Sequence, residues 1–143
     1  MEFVPTSMPR VDDVTNRLFK ALIWKPHLSG KFARTAHINL QEMRALKLEL
    51  KRMCCEDPPS CRLHRRAVIG LDSRVCVGAC SKGRSSSFKL NGIMRTMVPY
   101  FVGAKVSCSY PWAETHSNPG DHPSRFADIL PPIALARNVA ALL

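Results

Sequence analysis

The sequence lacks three features that would place it in a common class. It has no apolar run near the roughly 20 residues that a membrane-spanning helix needs. Its amino-terminal segment has no apolar signal core after a basic start, and its six cysteines include no Cys-x-x-Cys pair. These absences argue against a membrane protein and an exported disulfide framework. We therefore expect an intracellular protein, cytoplasmic or nuclear and not secreted.

Acidic residues are few. The sequence has 11 Asp and Glu residues and 21 Lys and Arg residues, which gives a net charge of +10. This excess favours a polyanionic partner, with an acidic membrane surface second and an unengaged basic surface as the plain alternative. The hydrophobic content of 45% over 143 residues is typical of one globular domain rather than a disordered tail. The charge and the hydrophobic content together predict a basic globular domain.

The cysteines offer one metal hypothesis. Cys54, Cys55, Cys61 and His64 are zinc-ligand types close in sequence. Adjacent cysteines are poorly spaced for tetrahedral coordination, so reduced and partly buried thiols are favoured over zinc.

Hydrophobic periodicity predicts an α/β fold. The helix over 38–54 carries apolar residues at three- and four-residue steps, with Asn39 as its N-cap. A buried interior strand is expected at 67–71 and a half-exposed strand at 105–112. Before the first long helix we expect a loose lead-in over 1–20 with one helical turn, and then a strand over 21–26. A basic serine-rich connector is expected over 81–89, followed by a helix from residue 89 that bends or ends near Pro99. A tail helix is expected after Pro132.

Three carboxylates fall on three of these elements. Glu42 borders the apolar stripe of the first long helix, where capping of the helix is the simpler explanation. Asp72 ends the buried strand, at the sheet edge where α/β proteins bind ligands, or else caps the next segment. Asp121 lies in a turn-rich loop. Acids grouped at one sheet edge would suit Mg²⁺ and phosphodiester cleavage.

Three motifs carry a family resemblance. The stretches "HINLQEMRAL", "GLDSRVCVGACSKG" and "NPGDHPSR" occur in this order. Together they resemble the ribonuclease H domain that follows reverse transcriptase in DIRS-like retroelements and hepadnavirus-like pararetroviruses. The last motif matches the family form Asn-Pro-x-Asp-x-Pro-Ser-Arg at Asn118, Pro119, Asp121, Pro123, Ser124 and Arg125. The resemblance covers roughly residues 32 to 125.

The resemblance implies a ribonuclease H-like mixed sheet flanked by helices, over residues 21–128, between the lead-in at 1–20 and a tail at 129–143. It implies Glu42, Asp72 and Asp121 as catalytic ligands of Mg²⁺ or Mn²⁺, and His116 as an aid to product release. The implied partners are an RNA/DNA hybrid and the remainder of a reverse transcriptase polyprotein. The expected nucleic-acid contacts are Arg74, Lys82, Arg84, Lys89 and Arg125.

The chain departs from this family upstream of His37. It has neither the expected hairpin nor an aspartate ending an apolar strand, and Asp12 and Asp13 lie in a polar stretch. We therefore expect a fragment of a larger polyprotein or a decayed copy, and a weak or inactive endonuclease. The alternatives are a non-catalytic nucleic-acid-binding remnant and a protein-interaction module.

Overall fold

The computed structural model describes residues 11–27, 29–33, 36–56, 64–125 and 127–134. These residues form α-helices and a two-stranded parallel sheet, so the chain mixes helix and strand as expected. None of the described helices is both long and apolar enough to cross a membrane. The elements are α1 (Val11–Ala21), α2 (Ile38–Glu56), β1 (Arg65–Val68), α3 (Arg74–Lys82), α4 (Phe88–Ala104), β2 (Val106–Ser109), a 3₁₀ turn (Thr115–Ser117) and α5 (Asp121–Ser124).

The chain divides into two compact units. The central unit spans Gly30–Trp112 and holds α2, β1, α3, α4 and β2. The terminal unit combines Met1–Ser29 with Ala113–Leu143 and holds α1, the 3₁₀ turn and α5. The domain boundaries implied by the family resemblance stay a prediction.

The amphipathic stripe of α2 forms the core of the central unit, which confirms the helix predicted over 38–54. Met43 and Leu50 have no exposed surface, and Leu46 is buried beside them. Helix α2 packs chiefly against α4, whose Leu90 and Met97 belong to the same apolar cluster. Burial of such side chains stabilises a fold by about 1.5 to 3 kcal/mol each.

The sequence predicts that α4 bends or ends near Pro99, and an end there is wrong. It begins after Ser87, whose side chain accepts a hydrogen bond from the Leu90 N–H, and it runs through Pro99 to Ala104. A proline inside a helix removes one backbone hydrogen bond. The helix ends instead where Lys105 adopts the left-handed conformation, with φ of 48°.

The strand expected at 67–71 begins two residues earlier, at Arg65. Parallel pairing with β2 continues beyond the regular strand, because the Leu71 N–H donates to the carbonyl of Pro111 at 3.1 Å. Pro111 has no N–H to return, which interrupts the regular ladder. The expectation of an interior strand is wrong for the described residues, since their sheet has two strands and Val68 is 73% exposed. The strand expected within 105–112 is confirmed as β2.

The strand expected over 21–26 is also wrong. Helix α1 extends to Ala21, and residues 23–27 have no regular structure. The Trp24 indole N–H folds back to donate to the Phe19 carbonyl at 2.6 Å, which satisfies a carbonyl near the helix end. Residues 127–134 have no regular structure, and the tail helix expected after Pro132 lies largely outside the described residues.

Gly103 permits the close packing of α4 on α2. A Cβ atom at this position would lie 2.9 Å from the Cys54 Sγ, whereas a Cβ at Gly92 of the same helix would meet nothing within 4 Å. Both glycines would gain the same helix propensity on substitution by alanine. The two positions therefore differ only in what the added methyl group meets.

We predict that Gly103→Ala lowers the free energy of unfolding by about 1 to 3 kcal/mol through overpacking. Gly92→Ala should raise it by about 0.5 to 1 kcal/mol. Urea denaturation of the two variants measures both, and in a Cys54→Ala background the Gly103→Ala penalty should disappear. Equal effects of the two glycine substitutions would show that the helices do not approach closely here.

Candidate carboxylate site

The start of α2 differs from the predicted capping box. His37 precedes the helix, and its carbonyl accepts hydrogen bonds from the N–H groups of Leu40 and Gln41. The Asn39 N–H donates to His37 Nδ1 at 3.3 Å. Asn39 is therefore not the N-cap, and Glu42 does not close a capping box. Both side chains are available for contacts elsewhere in the fold.

Glu42 instead binds the backbone at the carboxyl end of the β1 segment. Its Oε1 accepts hydrogen bonds from the N–H of Asp72 at 3.1 Å and from the N–H of Ser73 at 3.2 Å. These two N–H groups lie just before α3. One carboxylate oxygen thus joins α2 to the junction between β1 and α3.

Ser73 is the second link in this junction. Its hydroxyl donates to Asn39 Oδ1 at 3.0 Å and accepts from the Cys76 N–H at 3.2 Å, so Ser73 is the N-cap of α3. The Cys76 thiol donates to the Asn39 carbonyl at 3.2 Å. The alternative in which Asp72 caps α3 is therefore wrong, and its side chain is not needed as a cap.

The backbone of Asp72 is held from the other side by Trp112. The indole N–H of Trp112 donates to the Asp72 carbonyl at 2.9 Å. The Arg74 guanidinium lies 3.6 Å from the centroid of the Trp112 ring, in a cation–π contact. Trp112 thus fixes both the residue that carries the carboxylate and an adjacent cation.

Burial raises the pKa of Glu42 from an ordinary 4.5 to about 7. The Ser73 N–H opposes this shift, because it stabilises the carboxylate, while the Asp72 charge and a hydrogen bond to Asp72 add to it. The other oxygen, Oε2, is buried without a hydrogen-bond partner among the described residues. Near neutral pH Glu42 can therefore either hold or release a proton beside a second carboxyl group.

This pair fits one hard divalent cation. Carboxylate oxygens suit Mg²⁺ or Mn²⁺, and Mg²⁺ is usually held by one or two carboxylates with several water ligands. The unpartnered Oε2 of Glu42, beside Asp72, is the observation that supports the fit. Within the described part of either unit, no group of three or more His, Cys, Asp or Glu side chains is arranged to hold a metal.

The zinc alternative gains no support. Cys54 and Cys55 are free thiols, and His64 forms a hydrogen bond with the Ser107 hydroxyl at 2.9 Å. Cys61 lies outside the described residues. Burial raises the pKa of Cys80 to about 12, which makes its thiol a poor nucleophile and metal ligand.

The motif "NPGDHPSR" forms an ordered turn in the terminal unit. Asn118 Oδ1 accepts from the Gly120 N–H at 3.0 Å, and α5 begins at the next residue, Asp121. Asp121 Oδ1 accepts from Arg125 Nε at 3.2 Å, and the Ser124 hydroxyl donates to the Asp121 carbonyl at 2.7 Å. The motif therefore has a local structural role, and convergence of Asp121 with the central pair stays a prediction.

The remaining predicted site residues are exposed. His116 Nε2 lies 2.7 Å from Glu114 Oε2, and its side chain is 71% exposed. Arg125 is exposed and bound to Asp121. The other four expected nucleic-acid contacts are exposed residues of the central unit: Arg74, Lys82, Arg84 and Lys89.

Sequence reasoning missed the residues that position the pair, namely Asn39, Ser73 and Trp112. The one available signal was Ser73, a favoured N-cap type directly before an apolar-periodic segment. The partners of Asn39 and Trp112 lie 34 and 40 residues away along the chain, beyond the reach of local patterns.

Comparison with known proteins identifies no relative: no family model matches the chain, and neither a curated protein nor a solved structure matches it.

The raised pKa of Glu42 predicts a specific pH dependence of stability. Between pH 4.5 and about 7 the folded chain keeps a proton on Glu42 that the unfolded chain has lost. The contribution of Glu42 to the free energy of unfolding should therefore fall as pH rises through this window. We expect Glu42→Gln to remove this dependence and Glu49→Gln, on the same helix, to retain it in denaturant titrations. Identical pH profiles for wild type and Glu42→Gln would contradict the raised pKa.

Proposed function

We propose that this chain is a ribonuclease H-like domain that binds an RNA/DNA hybrid and cleaves its RNA strand weakly. The observation that carries the proposal is the meeting of Glu42 and Asp72 at the carboxyl end of the β1 segment. A helix-borne glutamate beside a strand-ending aspartate is the pairing that the motif resemblance implied. The mixed helix-and-strand architecture is compatible with this proposal.

Hydrolysis of a phosphodiester requires attack of water on phosphorus and departure of the 3′ oxygen, which takes up a proton. A Mg²⁺ ion bound by Glu42 and Asp72 would supply Lewis-acid stabilisation and a more acidic water. Glu42 would hold the ion through its unpartnered Oε2 and orient the water bound to it. Asp72 would be the second carboxylate that holds the cation.

The activity should be weak, because Glu42 and Asp72 alone would hold one ion rather than two. The family resemblance implies a further aspartate on a preceding strand. Residues 11–27 and 29–33 contain helix α1 and no strand, and Asp13 is exposed on that helix. A single ion supplies either the activated water or the clamp on the leaving oxygen, but not both.

The distribution of cations supports nucleic acid as the ligand class. Lys82, Arg84 and Lys89 are exposed around the end of α3 and the start of α4. Such flexible cations neutralise phosphates and release counterions without reading sequence. The net charge of +10 adds a general attraction for any polyanion.

We predict slow Mg²⁺- or Mn²⁺-dependent cleavage of the RNA strand in a labelled RNA/DNA hybrid. Asp72→Asn and Glu42→Gln should each lower the residual rate by about 10- to 100-fold, which equals about 1.4 to 2.8 kcal/mol of lost transition-state stabilisation. Glu49→Gln is the matched control and should keep the wild-type rate.

Two other outcomes decide between the alternatives. Hybrid binding with no cleavage in any variant would favour the non-catalytic remnant. Fast cleavage abolished by Asp72→Asn would contradict the claim that a carboxylate is missing, and Asp12 and Asp13 would be the next residues to substitute.

We also predict that hybrid affinity falls steeply with salt. With up to five cations on phosphates, the logarithm of the association constant should fall against the logarithm of salt concentration with a slope approaching about −4. Fluorescence anisotropy between 50 and 200 mM salt, taken as roughly the range over which such contacts weaken, measures the slope. A flat titration would rule out phosphate binding and favour an acidic protein partner.

A further inference from the structure

A basic groove of about 380 Å³ lies between α2 and α4 in the central unit. Arg44 and Lys47 line it from α2, and Lys89 lines it from the first turn of α4. Among the described residues, no carboxylate lines the groove. The positive end of the α4 dipole lies near Lys89 and adds to the potential. We call this surface the α2–α4 groove.

The α2–α4 groove is distinct from the carboxylate site. At 100° per residue, Arg44 and Lys47 project on one side of α2, and Glu42 projects about 140° to 160° away from them. Lys51 continues the same basic side of the helix by another turn and is exposed. A ligand in the groove therefore does not contact Glu42 through the same face of α2.

Among the described residues, Arg44, Lys47 and Lys89 form no ion pair, although Arg52 on the same helix is paired with Glu49. Cations from two helices that face one groove repel each other. A bound polyanion would remove that repulsion.

An exposed aromatic residue directly precedes a groove-lining residue in the chain. Phe88 begins α4, directly before Lys89, and is 86% exposed. An aromatic side chain left in water has lost the benefit of burial, whereas the face of an unpaired base can stack on it. A row of cations next to an exposed aromatic ring is the combination that single-stranded nucleic acid binds.

We propose that the α2–α4 groove binds single-stranded nucleic acid, with phosphates on Arg44, Lys47 and Lys89 and a base stacked on Phe88. A duplex fits this surface less well, because its paired bases are not available to Phe88. An acidic peptide is less favoured, because the apolar groove residues Leu40 and Ile93 already pack against the core and leave little anchor for a partner side chain.

The test uses a labelled 12-nucleotide oligo(dT) and no divalent cation. Lys47→Glu should weaken oligo(dT) binding about tenfold and reduce the salt slope by about 1. Arg66→Glu changes the charge equally at an exposed position of β1 that does not line the groove, and it should change the affinity by about twofold or less. Equal losses in the two variants would reduce the effect to net charge and overturn the proposal.

Stacking is tested at Phe88. Phe88→Leu keeps an apolar side chain but loses the aromatic face, and it should weaken oligo(dT) binding about tenfold, whereas Phe88→Trp should restore it. An unchanged affinity in Phe88→Leu would contradict the stacking. Stronger binding of poly-glutamate than of oligo(dT), with the same sensitivity to Lys47→Glu, would assign the groove to an acidic protein and overturn the proposal.

The groove proposal and the hydrolase proposal fail separately. Oligo(dT) binding is measured without a hybrid and without Mg²⁺, so its loss leaves cleavage at Glu42 and Asp72 untouched. A failed cleavage assay likewise does not affect the test of oligo(dT) binding in the α2–α4 groove. Circular dichroism of each variant shows whether the helices have been retained.

Discussion

The central unit depends on one carboxylate oxygen. Glu42 Oε1 accepts two backbone hydrogen bonds from the junction between β1 and α3, and these bonds fix the position of α2 against that junction. Buried N–H groups without partners are costly, at about 1 to 3 kcal/mol each. Glu42 accepts a hydrogen bond from the N–H of Asp72 and another from the N–H of Ser73, so neither N–H lacks a partner. The Ser73 and Asn39 side chains add a second connection between the same two elements.

This arrangement also creates the chemistry of the site. Hydrogen bonds to both oxygens would favour the ionised carboxylate and lower its pKa. Here burial and the neighbouring Asp72 raise the pKa of Glu42 to about 7, and Oε2 has no partner among the residues described. The contact that holds the helix thus leaves one oxygen available for a proton or a cation. Structural and chemical roles are combined in a single side chain.

Much of the central unit was predictable from local patterns. The apolar stripe of α2 predicted both the helix and its buried face, because the periodicity depends only on the helix geometry. Asp72 does follow a strand segment, as predicted, and its N–H is bound by Glu42, although that segment is not the buried interior strand expected. The motif "NPGDHPSR" was recognised as turn-rich, and its turns are made by Asn118 and Asp121 within the motif itself.

Two of the incorrect predictions, the capping box and the extent of the strand, share a physical cause. Asn39 and Glu42 have the spacing of a capping box, but both side chains bind partners at Asp72 and Ser73, about 30 residues away. Local spacing cannot rank a nearby partner against a distant one. The regular strand stops early for a similar reason, since Pro111 on the neighbouring segment cannot donate the next hydrogen bond. Contacts between residues distant in sequence therefore determine which partners Asn39 and Glu42 bind and where the strand ends.

The most direct measurement is a ¹³C NMR titration of the Glu42 side-chain carboxyl in wild type and in Asp72→Asn. The wild-type midpoint should lie near pH 7. In Asp72→Asn it should fall but stay above 4.5, because burial is the largest cause of the shift and the Asp72 charge a smaller one. A midpoint near 4.5 in both proteins would contradict the paired, partly desolvated carboxylate on which the proposed chemistry depends.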